Sequence, residues 1–426
     1  MPKMATEKAE ATKRESAAEA ARMASGTAAE AAQAASEASE DDIPLHRWPP
    51  RALYIHIPFC ASKCPYCDFN SYVAEGQPVD RYLDALEREM ELTARQFPPA
   101  PLRSVFVGGG TPTVLSPKQL KRLLEAVRRH FPLEPDAEIT VEANPGSADP
   151  AKLEALRAGG ANRISFGAQS FDDGLLAAIG RDHTARDIAI SVREARRAGF
   201  GNISIDLMFG LPGQTLAQLA DSVEKALELE LPHYSLYSLK IEENTPFYHL
   251  YRRGELRLPD EDAEADMYEH LRRRLAEAGY VHYEISNFAR PGFESRHNLT
   301  YWRNEPYYGV GAGAHGYVKG WRHVNVRGVE AYIEAASRGL PRLSQFRVGA
   351  REAMEDFMMV GLRMPAGVRS ADFAAQFGGL RPEDVFGDTL ADLVGRGLLE
   401  PVGAGEGYRL TERGLMLGNV VFGAFI

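Results

Sequence analysis

The chain of 426 residues contains only three cysteines, and they lie together at positions 60, 64 and 67. A secreted protein held by disulfides would distribute its cysteines across the fold, so this class is excluded and a cytoplasmic location is expected. The sequence has no apolar run of 18 or more residues and no apolar signal-peptide stretch, which argues against a membrane-spanning helix and against secretion. It also has no excess of basic residues: the net charge of −10 argues against nucleic acid as a main partner.

Composition divides the chain into four predicted segments. Residues 1–47 are rich in Ala, Glu and Ser, offer no large apolar stripe and predict a disordered tail. Residues 48–285 alternate short β-rich runs with amphipathic helical stretches, a pattern typical of βαβ units in a parallel sheet. Residues 286–345 predict a connecting segment rich in glycine and aromatic residues. Residues 346–426 predict a small helical, winged-helix-like domain.

The β-rich runs predict a partial (β/α)6 barrel of the α/β class. A closed barrel of this type requires eight strands, and six candidates are found. The predicted strands are Leu53–Pro58, Ser104–Val107, Glu138–Val141, Arg163–Phe166, Asn202–Met208 and Tyr234–Leu239. The predicted helices between them include Asp80–Gln96, Pro117–His130, Thr184–Ala198 and Leu216–Leu229.

The cysteines Cys60, Cys64 and Cys67 form a CxxxCxxC motif directly after the first predicted strand. The loops at this end of barrel strands build active sites. Three thiolates on a tight loop can each hold one iron of a 4Fe–4S cube and leave the fourth iron open to an exchangeable ligand. A structural zinc ion requires four ligands, and His56 could complete such a set. Free thiols are the third alternative.

A glycine-rich string, GGGTPT, follows the second predicted strand and contains Gly109, Gly110 and Thr111. Glycine lets the backbone approach a ligand closely, and the alternative is a tight turn between strand and helix. A nucleotide-phosphate loop is disfavoured because the Gly-Lys-Ser/Thr of a P-loop is missing.

Polar residues lie at or near the ends of later strands. Glu142 and Asp206 lie in apolar runs, where a buried carboxylate is costly unless it is paired or hydrogen bonded. Gln169 follows the fourth strand, and Arg181 comes shortly after it. In a parallel sheet these groups converge on the edge that carries the cysteines, which predicts a site. The alternative for each residue alone is an internal salt bridge or a cap.

The CxxxCxxC motif with an aromatic residue before its third cysteine resembles the signature of the radical S-adenosylmethionine (SAM) superfamily. The resemblance implies that the amine and carboxylate of the SAM methionyl group bind the open iron. It also implies that one electron from the cluster cleaves the sulfonium to give a 5′-deoxyadenosyl radical. The cofactor contacts that it implies are Tyr54, Tyr66, Gly109, Gly110, Thr111, Glu142, Gln169, Arg181 and Asp206.

Several strings resemble the oxygen-independent coproporphyrinogen III oxidase branch of this superfamily, from about residue 50 to the C-terminus. They are YIHIPFC from residue 54, GGGTPT from 108, GAQSF from 167 and DLMFGLP from 206. That oxidase carries a fourth cysteine two residues after the third, where this chain has Phe69. It also has an N-terminal segment over its substrate, of which this sequence shows no sign.

The string HNxxYW, from His297 to Trp302, resembles the haem chaperone subgroup, whose members bind haem and pass it to an acceptor protein. This resemblance predicts haem, an acceptor and an electron donor for the cluster as partners. His297 is the candidate haem ligand, because imidazole binds iron, and His282 and His315 are further candidates. The alternative is an aromatic packing cluster with His297 as a core residue. The decarboxylating oxidase and a radical SAM methyltransferase stand as alternative functions.

Overall fold

The computed structural model describes residues 49–426, so the predicted tail at 1–47 lies outside the described residues. The chain divides into two units. The first unit contains residues 49–348 together with Arg363–Ala366, and the second contains Gly349–Leu362 and Gly367–Ile426. Within residues 49–426, no helix has the length and apolar character needed to cross a membrane.

A nine-stranded sheet is the centre of the first unit. The strands of this unit are β1 (Ala52–Ile57), β2 (Phe59–Cys60), β3 (Tyr72–Val73), β4 (Leu102–Gly109), β5 (Leu133–Ala143), β6 (Arg163–Gln169), β7 (Asn202–Phe209), β8 (His233–Ser238), β9 (Val281–Glu284), β10 (Asn287–Ala289), β11 (Tyr308–Val310), β12 (His315–Val318), β13 (Trp321–Asn325) and β14 (Arg342–Arg347).

The large sheet has the order β11-β1-β4-β5-β6-β7-β8-β10-β9. Every pair from β11 to β8 is parallel, and β10 and β9 continue the sheet antiparallel. The six predicted strands are therefore neighbours in sequence order, and the predicted α/β fold of an open, partial barrel is confirmed. The segment 286–345 contributes β11 to the edge of this sheet, while β12, β13 and β14 form a separate antiparallel sheet.

Helices connect the parallel strands and begin where the sequence provides caps. Ser116 accepts a hydrogen bond from the backbone of Gln119 and is followed by Pro117, both typical helix starts. Thr184 and Asp187 form a capping box, in which the side chain of each accepts a hydrogen bond from the backbone N–H of the other. The helices of the first unit are α1 (Val79–Gln96), α2 (Pro117–His130), α3 (Pro150–Ala158), α4 (Asp173–Ala178), α5 (Ala185–Arg197), α6 (Leu216–Leu227), α7 (Pro246–Arg252), α8 (Glu261–Glu277), α9 (Arg296–Trp302) and α10 (Val329–Arg338).

The strands of the large sheet carry apolar residues on one face and polar residues on the other. Side chains alternate along a strand, so Leu53, Ile55 and Ile57 of β1 share a face and pack in the same core as apolar residues of α1 and α2. Tyr54 and His56 lie on the opposite face. Later strands repeat this alternation, which leaves an inner face of hydroxyl, carboxylate, guanidinium and imidazole groups.

The second unit is a helical domain with a small antiparallel sheet. Its strands are β15 (Val368–Arg369), β16 (Leu399–Val402) and β17 (Gly407–Leu410), in the order β15-β17-β16. Its helices are α11 (Ala350–Gly361), α12 (Ser370–Gln376), α13 (Pro382–Gly395), α14 (Glu412–Met416) and α15 (Gly418–Gly423). The predicted C-terminal helical domain is confirmed, and the rings of Phe357, Phe373 and Phe377 contact one another in its core, with Phe357 edge-to-face on the other two.

Candidate functional site

The cysteine loop begins where β1 and β2 end. Cys60 is the last residue of β2, and the backbone N–H of Cys67 donates to the carbonyl of Cys64 at 3.1 Å, which closes a tight turn. All three cysteines are free thiols and are half-buried. Burial raises the pKa of the Cys60 and Cys67 thiols. A positively charged metal centre would reverse that shift, because metal-bound thiols are deprotonated.

Two side chains from other loops donate hydrogen bonds to the cysteine sulfurs. The Thr111 hydroxyl lies 3.6 Å from Cys60 Sγ, and Arg181 Nη1 lies 3.5 Å from Cys64 Sγ. Hydrogen bonds to the sulfurs are among the means by which proteins tune iron–sulfur clusters. The loop therefore has donors suited to anionic sulfur.

The glycine string of residues 108–113 packs directly against the start of the cysteine loop. A Cβ at Gly110 would lie 2.6 Å from the carbonyl oxygen of Phe59, and a Cβ at Gly109 would lie 2.3 Å from the His56 ring. Gly109 also has φ 107°, a conformation that favours glycine. The Thr111 N–H donates to the Phe59 carbonyl at 2.7 Å. These glycines therefore allow the backbone of the glycine string to pack closely against the end of β1 and the start of β2.

Two carboxylates lie on the inner face of the sheet. Glu142 Oε2 accepts a hydrogen bond from the Gly109 N–H at 3.0 Å, and Asp206 Oδ1 accepts one from the Ser165 hydroxyl at 3.1 Å. Burial, together with the charge of Asp206, raises the pKa of Glu142 to about 7. Burial also raises the pKa of Asp206, and the nearby Arg163 charge partly opposes the shift in both.

Arg181 connects the cysteine loop to the sheet. Its Nη2 donates to Asn144 Oδ1 and to the Gly167 carbonyl oxygen, both at 2.8 Å. Gln169 follows at the end of β6 with φ 64°, a left-handed conformation that is uncommon for a residue with a side chain. Strained backbone of this kind clusters at functional sites.

The two predicted aromatic contacts occupy different places. The Tyr54 hydroxyl lies 2.9 Å from His56 Nδ1, on the inner face of the sheet. The Tyr66 ring lies 6.3 Å from the Phe247 ring. His56 Nε2 lies 2.9 Å from the Asn70 carbonyl oxygen, so both of its ring nitrogens are engaged away from the cysteines. The structure does not place His56 as a fourth ligand beside them.

His297 is buried in α9 with both ring nitrogens occupied. Nδ1 lies 3.0 Å from the Ser104 hydroxyl and Nε2 lies 2.8 Å from the Tyr301 hydroxyl, while the ring stacks on Phe106. Burial and the Arg163 charge lower the pKa of His297 to about 3. In this arrangement the ring packs the inner face of the sheet and offers no free nitrogen to a ligand.

Three residues of this region were not singled out from the sequence. Asn144 holds Arg181, and its Nδ2 donates to Thr111 Oγ1 at 3.2 Å. Asn70 joins the cysteine loop to the segment before β12, since its Nδ2 donates to the Ala312 carbonyl at 2.9 Å. Arg163 is buried, and its charge lowers the pKa of both Asp206 and His297. The string VEANP, which contains Asn144 between Glu142 and a proline, was the available signal for the first of these.

Two family models match the chain. The model described as Radical SAM superfamily matches residues 54–226, and the model described as HemN C-terminal domain matches residues 348–417. Among curated proteins, the haem chaperone HemW of Bacillus subtilis is 48% identical, over 88% of this chain and 99% of that protein. The haem chaperone HemW of Escherichia coli is 36% identical, over 89% of this chain and 98% of that protein. The chain belongs to the HemW family of the radical SAM superfamily.

A solved structure supports the same relationship. The coproporphyrinogen III oxidase HemN of Escherichia coli, described as a radical SAM enzyme, superposes with a TM-score of 0.77 and 26% identity. The match covers 91% of this chain and 92% of that one. The resemblance predicted from the cysteine loop and the glycine string is therefore confirmed. This HemW family member shares the architecture of the oxidase and carries Phe69, which is 61% exposed, after the third cysteine.

Proposed function

We propose that this chain is a haem chaperone, which binds haem and transfers it to an acceptor protein. The observation that carries the proposal is an identity of 36–48%, over 87–89% of this chain, to proteins named haem chaperones from four bacterial species. Phe69 supports it further, because the oxidase branch that the sequence also resembles has a cysteine at that position.

We further propose that Cys60, Cys64 and Cys67 hold a 4Fe–4S cluster. The thiols are free and half-buried, and they receive donors from Thr111 and Arg181. Among residues 49–426, no three His, Cys, Asp or Glu side chains lie close enough together for a single metal ion. Three cysteines that bind three different irons of one cube do not need such a convergence. The positions of the three cysteine side chains therefore favour an iron–sulfur cluster over a single zinc ion.

The same edge of the sheet supplies the proposed SAM site. The cluster, when bound, would supply an open iron and one electron to the sulfonium of SAM. Backbone groups of Gly109 and Gly110 would lie against the methionyl part, and Glu142 would receive its positive amine. Arg181 keeps the cysteine loop at the end of β6 by its hydrogen bonds to Cys64 and Gly167. Tyr54, Tyr66, Thr111, Gln169 and Asp206 are proposed as further contacts.

The proposed partners are haem, an acceptor protein and an electron donor for the cluster. We propose a cytoplasmic location, because free cysteine thiols that receive a cluster require a reducing compartment. His297 is a weak candidate for the haem ligand because its two ring nitrogens are already hydrogen bonded.

An anaerobic reconstitution tests the proposal. The purified chain is loaded with iron and sulfide, and haemin is titrated against it while the Soret band is followed. A haem-free acceptor is then added and its loading is measured. The result expected is a cluster with bound haem that moves to the acceptor. Conversion of coproporphyrinogen to protoporphyrinogen with SAM and dithionite would overturn the chaperone function in favour of the oxidase, and absence of haem binding would overturn it outright.

A further inference from the structure

The exposed histidines of residues 49–426 are His249 on α7 and His315 at the start of β12. The others are half-buried or buried. Ring nitrogens are hydrogen bonded within the fold in His56, His183, His233, His282, His297 and His323. His130 and His270 are half-buried, and their Nε2 atoms are buried. An imidazole that binds the iron of an entering haem needs an accessible ring nitrogen, so the two exposed side chains are the best candidates for the iron ligand.

His315 lies in a segment that is fastened to the cysteine loop. Asn70, three residues after Cys67, donates through Nδ2 to the carbonyls of Ala312 at 2.9 Å and Arg327 at 3.0 Å. The Gly313 N–H donates to the Val326 carbonyl at 2.9 Å, which ties the two ends of this segment together. His315 is three residues after Ala312, so it lies near the end of the cysteine loop.

The sheet face around His315 suits a flat apolar ligand with acidic arms. His315 is paired with Val324, and Val324 with Ser344, so the three side chains share one face across about 10 Å of sheet. Two residues further along, Phe346 lies on the same face and is 47% exposed. A half-buried valine and an exposed aromatic ring can contact a porphyrin plane.

Positive charge lies next to this face. Arg322 lies on this face opposite Tyr317, and Arg327 is exposed three residues after Val324. Partial burial, followed by the charges of Arg327 and Arg322, lowers the pKa of His315. A lowered pKa favours the neutral imidazole, which is the form that binds a metal. A guanidinium recognises a carboxylate with two parallel hydrogen bonds, so Arg327 matches the propionate groups of haem.

We propose that His315 is the protein ligand of the haem iron and that Arg327 binds a haem propionate. The inference rests on the haem-binding function proposed above, and it assigns the metal-binding role to β12 instead of α9. His249 lies on α7, where its ring is 5.9 Å from the Tyr248 ring, and it is not part of the sheet face formed by β12, β13 and β14.

Titration of the full chain with haemin, after anaerobic cluster loading, tests the iron ligand. His315→Ala is compared with wild type and with the matched control His249→Ala, by Soret absorbance and electron paramagnetic resonance. We expect the control to keep the wild-type spectrum. His315→Ala should lose the histidine-ligated signal and bind haemin at least about tenfold more weakly. Imidazole added to this variant should restore the signal, which a merely structural defect would not permit.

An unchanged spectrum and affinity in His315→Ala would overturn the assignment while leaving haem binding itself intact. Loss of the signal in His249→Ala alone would overturn it as well. Absence of haemin binding by wild type would instead defeat the proposed function, so the two failures are distinguishable.

The propionate contact is tested with haemin and its dimethyl ester, which lacks the carboxylates. Arg327→Gln should weaken haemin binding several-fold and leave binding of the ester unchanged. Arg338→Gln, which changes an exposed side chain at the end of α10, is the control and should alter binding of neither ligand. Equal weakening of both ligands by Arg327→Gln, or of neither, would overturn the propionate assignment.

Discussion

Arg181 Nη1 lies 3.5 Å from Cys64 Sγ, while Nη2 of the same guanidinium lies 2.8 Å from Asn144 Oδ1. One side chain thus connects the cysteine loop to the ends of β5 and β6. Its geometry depends on the planar fork of the guanidinium, which a lysine ammonium cannot reproduce.

Arg181→Lys should therefore weaken the hold of the loop on its metal centre even though the charge is kept. Outer-shell partners of this kind typically contribute about 10- to 100-fold in metal affinity. Iron and sulfide retained per chain after anaerobic gel filtration measure the effect. Arg193→Lys, an exposed arginine on α5, should retain wild-type amounts. Equal retention in Arg181→Lys and wild type would show that the contact does not stabilise the cluster.

Gly110→Ala should destabilise the cluster-free protein. The added Cβ would lie 2.6 Å from the Phe59 carbonyl oxygen and 2.8 Å from the Ile57 carbonyl oxygen, and backbone cannot move aside cheaply. Overpacking of this kind costs about 1–3 kcal/mol. Urea unfolding followed by circular dichroism gives the value. Gly201→Ala has open space around its Cβ and should change stability by less than about 1 kcal/mol. Equal stability of the two variants would contradict the packing argument.

The raised pKa of Glu142 makes the stability of the cluster-free protein depend on pH. The folded protein holds the Glu142 proton up to about pH 7, whereas the unfolded chain releases it near pH 4.5. The free energy of unfolding therefore falls as pH rises between these values, because the folded state binds more protons. The shift corresponds to at most about 3 kcal/mol.

Glu142→Gln should remove this contribution. Thermal unfolding of the two proteins at pH 5 and at pH 8 gives the comparison, and wild type should lose more stability than the variant on going to pH 8. Parallel pH profiles for wild type and Glu142→Gln would show that the carboxyl titrates normally.

Glu89 is a fully buried carboxylate that holds the segment after β11 against α1. It accepts hydrogen bonds from the Gly311 N–H at 2.8 Å, from Asn325 Nδ2 at 2.6 Å and from the Tyr332 hydroxyl at 2.5 Å. Glu89→Ala leaves three buried donors without an acceptor and should cost about 3–5 kcal/mol. Chemical denaturation measures the loss in the free energy of unfolding. Glu91→Ala, on the exposed side of the same helix, is the control. A small loss in Glu89→Ala would mean that water replaces the carboxylate.

The sheet could be predicted from the sequence because its parallel strands have strong apolar periodicity and are separated by amphipathic helices. The predicted Pro117–His130 coincides with α2, and Asn202–Met208 lies within β7. The strand β11 could not be predicted, because its three residues, YGV, are too few to show a periodicity. Its place beside β1 is decided by tertiary pairing.

The approach of Glu142 to the glycine string could be predicted from the rule that parallel strands end on one edge. The roles of Asn70 and Arg163 could not, because an asparagine in a loop and an arginine at a strand start are ordinary surface residues in a sequence. Arg163 is only 2% exposed because it pairs with β5 and β7 inside the large sheet, and no local pattern encodes that pairing. The sequence also could not show that both ring nitrogens of His297 are hydrogen bonded, because the partners Ser104 and Tyr301 are brought to the ring by the fold.

The apolar face of the sheet carries Leu, Ile and Val side chains that are sealed by helices without any contribution from the cysteines. A zinc finger collapses when its ion is withdrawn, because the ion replaces a core that is too small. In this chain the hydrophobic core contains no cysteine, and the three thiols are half-buried in a loop at the edge of the sheet. We therefore expect the fold to form before iron and sulfide are inserted, and to persist when they are removed.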